Sequence, residues 1–166
     1  MSVYVVDSNF FIQAHRITYP LDVVVSFWEK LKELSHDGRI ISIDKVKNEI
    51  FNHNDDLEKW CRANLSNSFF KNSISAMDTY RRVIVWANSK RDYFLPKAMN
   101  EFLDVDEADA FIVAYALSDR ENRIVVTHEI SEPKRRNKIK IPDVCNALDV
   151  QYLNDMDMFR ALKETF

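Results

Sequence analysis

A chain of 166 residues with a single glycine, Gly38, cannot build the backbones that the common nucleotide-binding folds require. A P-loop needs GxxxxGK[ST] and a dinucleotide site needs GxGxxG, because only a residue without Cβ lets the backbone approach phosphate closely. Neither pattern can exist here, and the nucleotide-driven classes that depend on them are excluded.

The length is that of one domain, expected to span residues 1–166. With 46% hydrophobic and 12% aromatic residues, the chain can bury a sizeable core without disulfides or a structural metal. Cys61 and Cys145 lie far apart, lack CxxC spacing and read as reduced, small apolar residues. No charge-free apolar run approaches the ~20 residues needed to span a bilayer. The opening MSVYVVD has neither a basic segment nor a long apolar one, so the expectation is a cytoplasmic protein with no membrane association. A formal charge of −3 gives no global sign of nucleic-acid binding. The local exception is Lys134, Arg135, Arg136, Lys138 and Lys140. Such a run is ordinarily a solvated loop, but beside an acidic site it would be a patch for RNA phosphates.

Apolar periodicity divides the chain into alternating strands and helices. SVYVV at Ser2–Val6 reads as a buried strand that stops at Asp7-Ser8-Asn9 and turns into a helix over Phe10–His15. Val23, Phe27, Leu31 and Leu34 have helical spacing within Asp22–Ser35, closed by Asp37-Gly38. Ile40–Ile43 is a second strand, after which Asp44 is expected to cap a helix running to Phe51. Asp55 and Glu58 have capping-box spacing. Helices are expected over Ser73–Lys90, after Pro96, over the almost wholly apolar Glu107–Ser118, near Asp143–Leu148 and over Asp155–Lys163. Arg123–Thr127 and Val150–Leu153 read as further strands. This alternation predicts an α/β fold in three layers, a parallel sheet of about four to five strands flanked by helices.

In open parallel sheets, ligands bind beyond the carboxyl ends of the strands. Asp7 stands at the end of the first strand and Thr127-His128-Glu129 at the end of the third, about 120 residues later. Asp109 lies in the apolar helix between Ala108 and Ala110, where a charge requires a partner. It is either a helix-dipole carboxylate or a site acid, and Asp106 is expected on the same face as a cap. Glu49, in KVKNEIF, could equally be an ordinary exposed helix glutamate. Several carboxylates facing one crevice would repel, and a hard divalent cation, Mg2+ or Mn2+, would resolve the conflict. Such a site suits phosphodiester hydrolysis. No HExxH occurs, and His15, His36, His53 and His128 are scattered.

VYVVDSNFFIQAHR resembles the opening strand-and-turn signature of PIN domains, which ends in Asp-[Ser/Thr]-Asn. EADAFIVAYAL resembles their third motif, and IVVTHE their last strand, which usually ends Thr-Asn-Asp. With the segment KIPDVC at Lys140–Cys145, the chain is most similar to the DUF4411 branch of bacterial PIN-like proteins, a resemblance that covers nearly its whole length. The resemblance implies a PIN-like fold and a Mg2+- or Mn2+-dependent ribonuclease, often the toxin of a toxin–antitoxin pair. Its partners would then be an RNA substrate, a protein antitoxin and, in some relatives, a second copy in a homodimer. Carried over by position, Asp7, Glu49 and Asp109 match the three main acids and Glu129 the fourth. Asn9 and Thr127 match the polar residues that position the first and last of them. His128-Glu129 replaces the usual Asn-Asp, lengthening the last side chain by about 1.5 Å. That leaves Glu129 and Asp106 as alternative completions of the site.

Two further readings compete with the ribonuclease. One is a catalytically inactive PIN-like module that binds RNA or protein, which the His128-Glu129 departure and the acidic net charge favour. The other is a phosphatase of the haloacid-dehalogenase kind, which wants a second aspartate where Asn9 stands. The aromatic residues Phe27, Trp28, Phe69, Phe70, Tyr80 and Trp86 are expected mainly as core, with antitoxin docking as the alternative.

Overall fold

Five short strands, all parallel, organise the computed structural model, which describes residues 1–166. They are β1 (Val3–Val6), β2 (Ile40–Ile43), β3 (Phe70–Lys71), β4 (Arg123–Val126) and β5 (Tyr152–Leu153), in the order β3-β2-β1-β4-β5. Parallel neighbours need crossovers, and nine helices provide them and close the chain. In chain order these are α1 (Ser8–Gln13), α2 (Val25–His36), α3 (Asp44–Ile50), α4 (Asp56–Asn64), α5 (Met77–Ser89), α6 (Pro96–Leu103), α7 (Asp109–Leu117), α8 (Ile141–Leu148) and α9 (Asp155–Leu162). Every residue of β2 is buried, which requires a layer on each face of the sheet. The expected α/β, three-layer architecture with a parallel sheet is the one observed.

Buried apolar residues from Tyr4 to Leu162 form one contiguous core. At its centre is α7, whose residues from Ala110 to Leu117 are all buried, as its all-round apolar pattern predicts. Helix α5 is fastened along it: the Tyr80 ring stacks on Phe111 at 4.1 Å, and the Thr79 hydroxyl donates to the Ala114 carbonyl at 2.6 Å. Gly38 ends α2 in the left-handed region at φ +70°, where the Arg39 N–H returns to the Leu34 carbonyl at 3.0 Å.

Several local expectations are corrected. The stretch from Ser73 begins as a 3-10 turn, and α5 proper starts at Met77. Helix α2 starts at Val25 because the chain first turns at Pro20, whose carbonyl accepts the Val23 and Val24 N–H groups, leaving Val23 72% exposed. The first helix starts at Ser8 and runs on into a π-helical turn over Ala14–Thr18. Asp44 is the first residue of α3, and its Oδ1 accepts the N–H of Lys45 and that of Ser73. Asp55 does cap α4 by accepting the Glu58 N–H, but Glu58 turns to Arg62 and makes no return bond. Phe27, Trp28 and Phe69 are core, and Phe70, Tyr80 and Trp86 pack partly buried against it.

Candidate functional site

The chain leaves central β1 for β2 on one side and later returns as β4 on the other, so a crevice opens above the carboxyl ends of β1 and β4. Val6 pairs with Val126, which sets the next residues, Asp7 and Thr127, side by side at its floor. Asp7 is only 3% exposed and caps α1, its Oδ1 accepting the Phe10 N–H at 2.9 Å. Its Oδ2 accepts the Thr127 hydroxyl at 2.9 Å. The same Thr127 oxygen accepts the Glu129 N–H at 3.1 Å, so one hydroxyl orients both the first and the last acid.

The other acids arrive from helix ends. Glu49 projects from α3, and its Oε1 accepts the Ala108 N–H at 3.0 Å, just before α7 begins. Asp109 is therefore the first residue of α7, which begins two residues later than the start expected at Glu107. Asp106 does not cap this helix; it is exposed, with its own N–H on Asp104 Oδ1. Glu129 Oε2 accepts the Ile141 N–H at 2.7 Å, the first of α8. Each of these two glutamates has one oxygen committed to a helix N-terminus and one free of any protein hydrogen bond.

Burial is the largest influence on the two aspartates. It raises Asp7 to about 7 against its bonds from Phe10 and Thr127, and repulsion from Glu129 and Glu49 adds to it. Asp109, part of whose residue surface still reaches the cleft, is raised to about 8 by burial, then by Glu129, Asp7 and Glu49, with Lys138 opposing. The two glutamates thus act on both buried aspartates from the rim of one region. No three Asp, Glu, His or Cys side chains converge into a preformed cage. The donor set still fits a hard divalent cation: it is all oxygen, mutually repulsive and provided with two uncommitted glutamate oxygens.

Above the floor lies a cleft of about 460 Å³, with Asn9, Glu49, Glu107, Asp109, Glu129 and Lys138 among its lining. Asn9 and Lys138 also border an adjoining cleft of about 350 Å³, together with Arg135 and Lys140. The five-cation run therefore divides. Lys138, Lys140 and Arg135 face these clefts, Arg135 being paired with Glu132 at 3.1 Å. Arg136 turns away, donating to the Tyr93 carbonyl at 2.7 Å, and Lys134 is exposed. His128 stacks on Phe10 and points Nε2 toward Asp155, 3.8 Å away.

Two residues of the site escape sequence reasoning. Glu107 lines the cleft beside Asp109, where burial and repulsion from Glu49 raise its carboxyl. Asp143 anchors the basic loop, accepting the Ser131 hydroxyl on Oδ1 and the Glu132 N–H on Oδ2. The only signal for either was its place in a motif, EADA for Glu107 and KIPDVC for Asp143.

The family model described as a domain of unknown function, DUF4411, matches residues 4–166. The chain belongs to the DUF4411 family. Among solved structures, a chain from the crystal structure of VapBC2 from Rickettsia felis bound to a DNA fragment from their promoter is similar in fold. The alignment has a TM-score of 0.55 and 15% identity and covers 92% of this chain and 98% of that one. No curated protein matches the chain. This DUF4411 member thus has the fold of that VapBC2 chain, with the four acids placed at its topological switch point.

Proposed function

We propose that this protein is a Mg2+- or Mn2+-dependent endoribonuclease and the toxin of a toxin–antitoxin pair. One observation carries the reading: Asp7 and Asp109, in the crevice at the carboxyl ends of β1 and β4, are both raised by burial and by the charges of Glu49 and Glu129, four acids from four separate segments. A set of acids with both aspartates pushed to about neutrality or above is poorly stable on its own, and a cation would relieve it. The likeness to a VapBC2 chain supports the toxin assignment and a protein antitoxin as partner.

Asp7, Glu49, Asp109 and Glu129 would hold the cation. When bound, it would supply Lewis acidity toward phosphate oxygens and lower the pKa of water. The chain's own groups do the rest. Thr127 fixes the rotamers of Asp7 and the backbone of Glu129, so the floor is set before substrate arrives. Asn9, half-buried at the border of both clefts, offers an amide to the substrate phosphate. Lys138 offsets negative charge at Asp109 and is placed to meet the RNA backbone, with Lys140 and Arg135 beyond it.

A second reading, a PIN-like module that binds RNA or protein without cleaving, draws on the absence of a preformed cage and the helix-capping use of Glu49 and Glu129. Cleavage of a labelled mixed RNA pool in Mn2+, Mg2+ or EDTA separates the two. The nuclease reading expects cleavage in either metal, none in EDTA, and loss in both Asp7→Asn and Asp109→Asn. An inert wild type that shows no metal binding by calorimetry would leave the binding module.

A further inference from the structure

A second cavity, of about 430 Å³, lies on the other side of the basic loop from the acid cleft and shares with the site above only the loop anchor Asp143. Trp86, Tyr93 and Phe94 form its apolar wall, with Lys90, Asn146 and Ala147 around its mouth. The rings are held edge to face, Tyr93 to Phe94 at 79° and Trp86 to Phe94 at 61°. Tyr93 is 39% exposed. The loop is clamped between the two depressions: Tyr93 Oη donates to the Pro133 carbonyl at 2.8 Å, Leu95 N–H to the Arg136 carbonyl at 2.9 Å, and Asp143 holds Ser131 and Glu132. One side of the loop presents Arg135 and Lys138 to the acid clefts, and the other presents Ser131 and Pro133 to the cavity.

The charges near this cavity are unbalanced. Lys90 at the mouth and Arg136 on the adjoining loop form no ion pair, and the one carboxylate of the lining, Asp143, has both oxygens bonded to Ser131 and Glu132 of the loop. Arg136 instead lies 5.6 Å over the Tyr93 ring, presenting a flat cation next to a flat ring. Aromatic side chains lining a cavity beside Lys90 and the Arg136 guanidinium suit a ligand that is itself flat and anionic, which describes single-stranded nucleic acid. The Asn146 side chain is exposed and has only a long 3.4 Å contact with Tyr152 Oη, so its amide is free to meet the edge of a base.

We propose that this cavity is a nucleobase subsite that stacks one base of the single-stranded RNA whose scissile bond lies in the acid cleft. The strand crosses the loop between them, its phosphates on the loop cations. The identity of the strand as substrate rests on the nuclease reading, whereas the stacking of a base does not.

The test is the affinity of a fluorescein-labelled mixed-sequence octaribonucleotide for the full chain, by anisotropy in EDTA so that cleavage plays no part. Ala147→Leu fills the cavity from the exposed face of α8 and is expected to weaken binding about tenfold, the scale of one lost stacked base. Lys90→Gln should lower the slope of log affinity against log salt by about one. Cross-linking of 5-iodouridine RNA to wild type should place adducts on Tyr93 or Trp86, which also serves if the leucine variant does not fold. Wild-type affinity in a folded Ala147→Leu variant, with no adduct on either ring, overturns the proposal. So does Ala147-dependent capture of an acidic, aromatic-bearing peptide with RNA unaffected, because the cavity is then a protein-docking site. RNA binding that depends on Ala147 without cleavage in Mn2+ would sink the nuclease reading alone. Cleavage with Ala147-independent binding would sink this one alone.

Discussion

Glu49 Oε1 accepts the Ala108 backbone N–H at 3.0 Å, which makes a glutamate on α3 the N-terminal cap of α7. The bond fixes where α7 begins, and through that where Asp109 points. It also turns the remaining Glu49 oxygen into a fixed element of the acid floor. The charge and the acceptor can be separated by substitution. Glu49→Gln keeps an oxygen for Ala108 and should fold with stability close to wild type, yet lose metal-dependent cleavage. Glu49→Ala removes the cap as well and should lower unfolding free energy by about 1 kcal/mol, the usual cost of a lost helix cap. Urea denaturation beside the RNA assay checks both. Equal destabilisation by the two substitutions would mean that the Ala108 bond contributes nothing.

Thr127 serves two acids with one oxygen, donating to Asp7 and accepting from the Glu129 N–H. Thr127→Val is nearly isosteric and removes both bonds, leaving a buried carboxyl oxygen and a backbone donor without partners. The expected cost is about 1–3 kcal/mol in stability. Mn2+-dependent cleavage should fall by at least about tenfold, because the misplaced acids lose their preorganisation. Thr127→Ser keeps the hydroxyl and should recover most of the activity. Failure of serine to rescue would assign Thr127 a packing role only.

These two residues also mark how far the sequence could be read. Asp7 and Thr127 were placed correctly because each directly follows a β-branched strand, and strand pairing brings strand ends together. The span from Phe70 to Lys71 escaped notice as a strand because two residues in an aromatic run leave no period to detect. Glu49 could not be told from any exposed helix glutamate, since its partner lies 59 positions away and is a backbone N–H that carries no side-chain signature. The same bond explains the error at Asp106: an Asp at capping distance was expected to cap α7, but that place is filled from α3. In the basic run, proximity in sequence suggested one patch, whereas the clamp of Tyr93 and Asp143 divides its cations between two faces.

Lys138 is the cation of that run whose charge acts directly on Asp109 and Glu107. Replacing it with glutamine should weaken RNA binding in EDTA and reduce the slope of log affinity against log salt by about one, the signature of one lost phosphate contact. Without its cation, the Asp109 carboxyl should rise further, shifting the pH dependence of Mn2+ binding upward in calorimetric titrations. Lys163, exposed just beyond α9, serves as the control, and its glutamine variant should change neither quantity. An unchanged salt slope in Lys138→Gln would remove it from the RNA path.

The raised aspartates make the metal-free protein sensitive to pH in a defined direction. Asp7 and Asp109 move from 3.8 when unfolded to about 7 and about 8 when folded, so the folded chain binds more protons than the unfolded one across that interval. Stability of the metal-free form must therefore fall as pH rises from about 4 to about 8, and level off once both groups are ionised in either state. Scanning calorimetry in EDTA should show a thermal midpoint at pH 8.5 lower than at pH 6, by about 2–4 °C for each kcal/mol lost in a chain of this size. A divalent cation binds the ionised carboxylates, so Mn2+ should raise the midpoint more at pH 8.5 than at pH 6. Asp109→Asn has no charge to bury. It should stabilise the metal-free protein at pH 8.5 relative to wild type while diminishing the Mn2+ gain. A midpoint that rises with pH in EDTA, or a Mn2+ gain untouched by Asp109→Asn, would mean that these carboxylates are neither strained by burial nor part of a metal site.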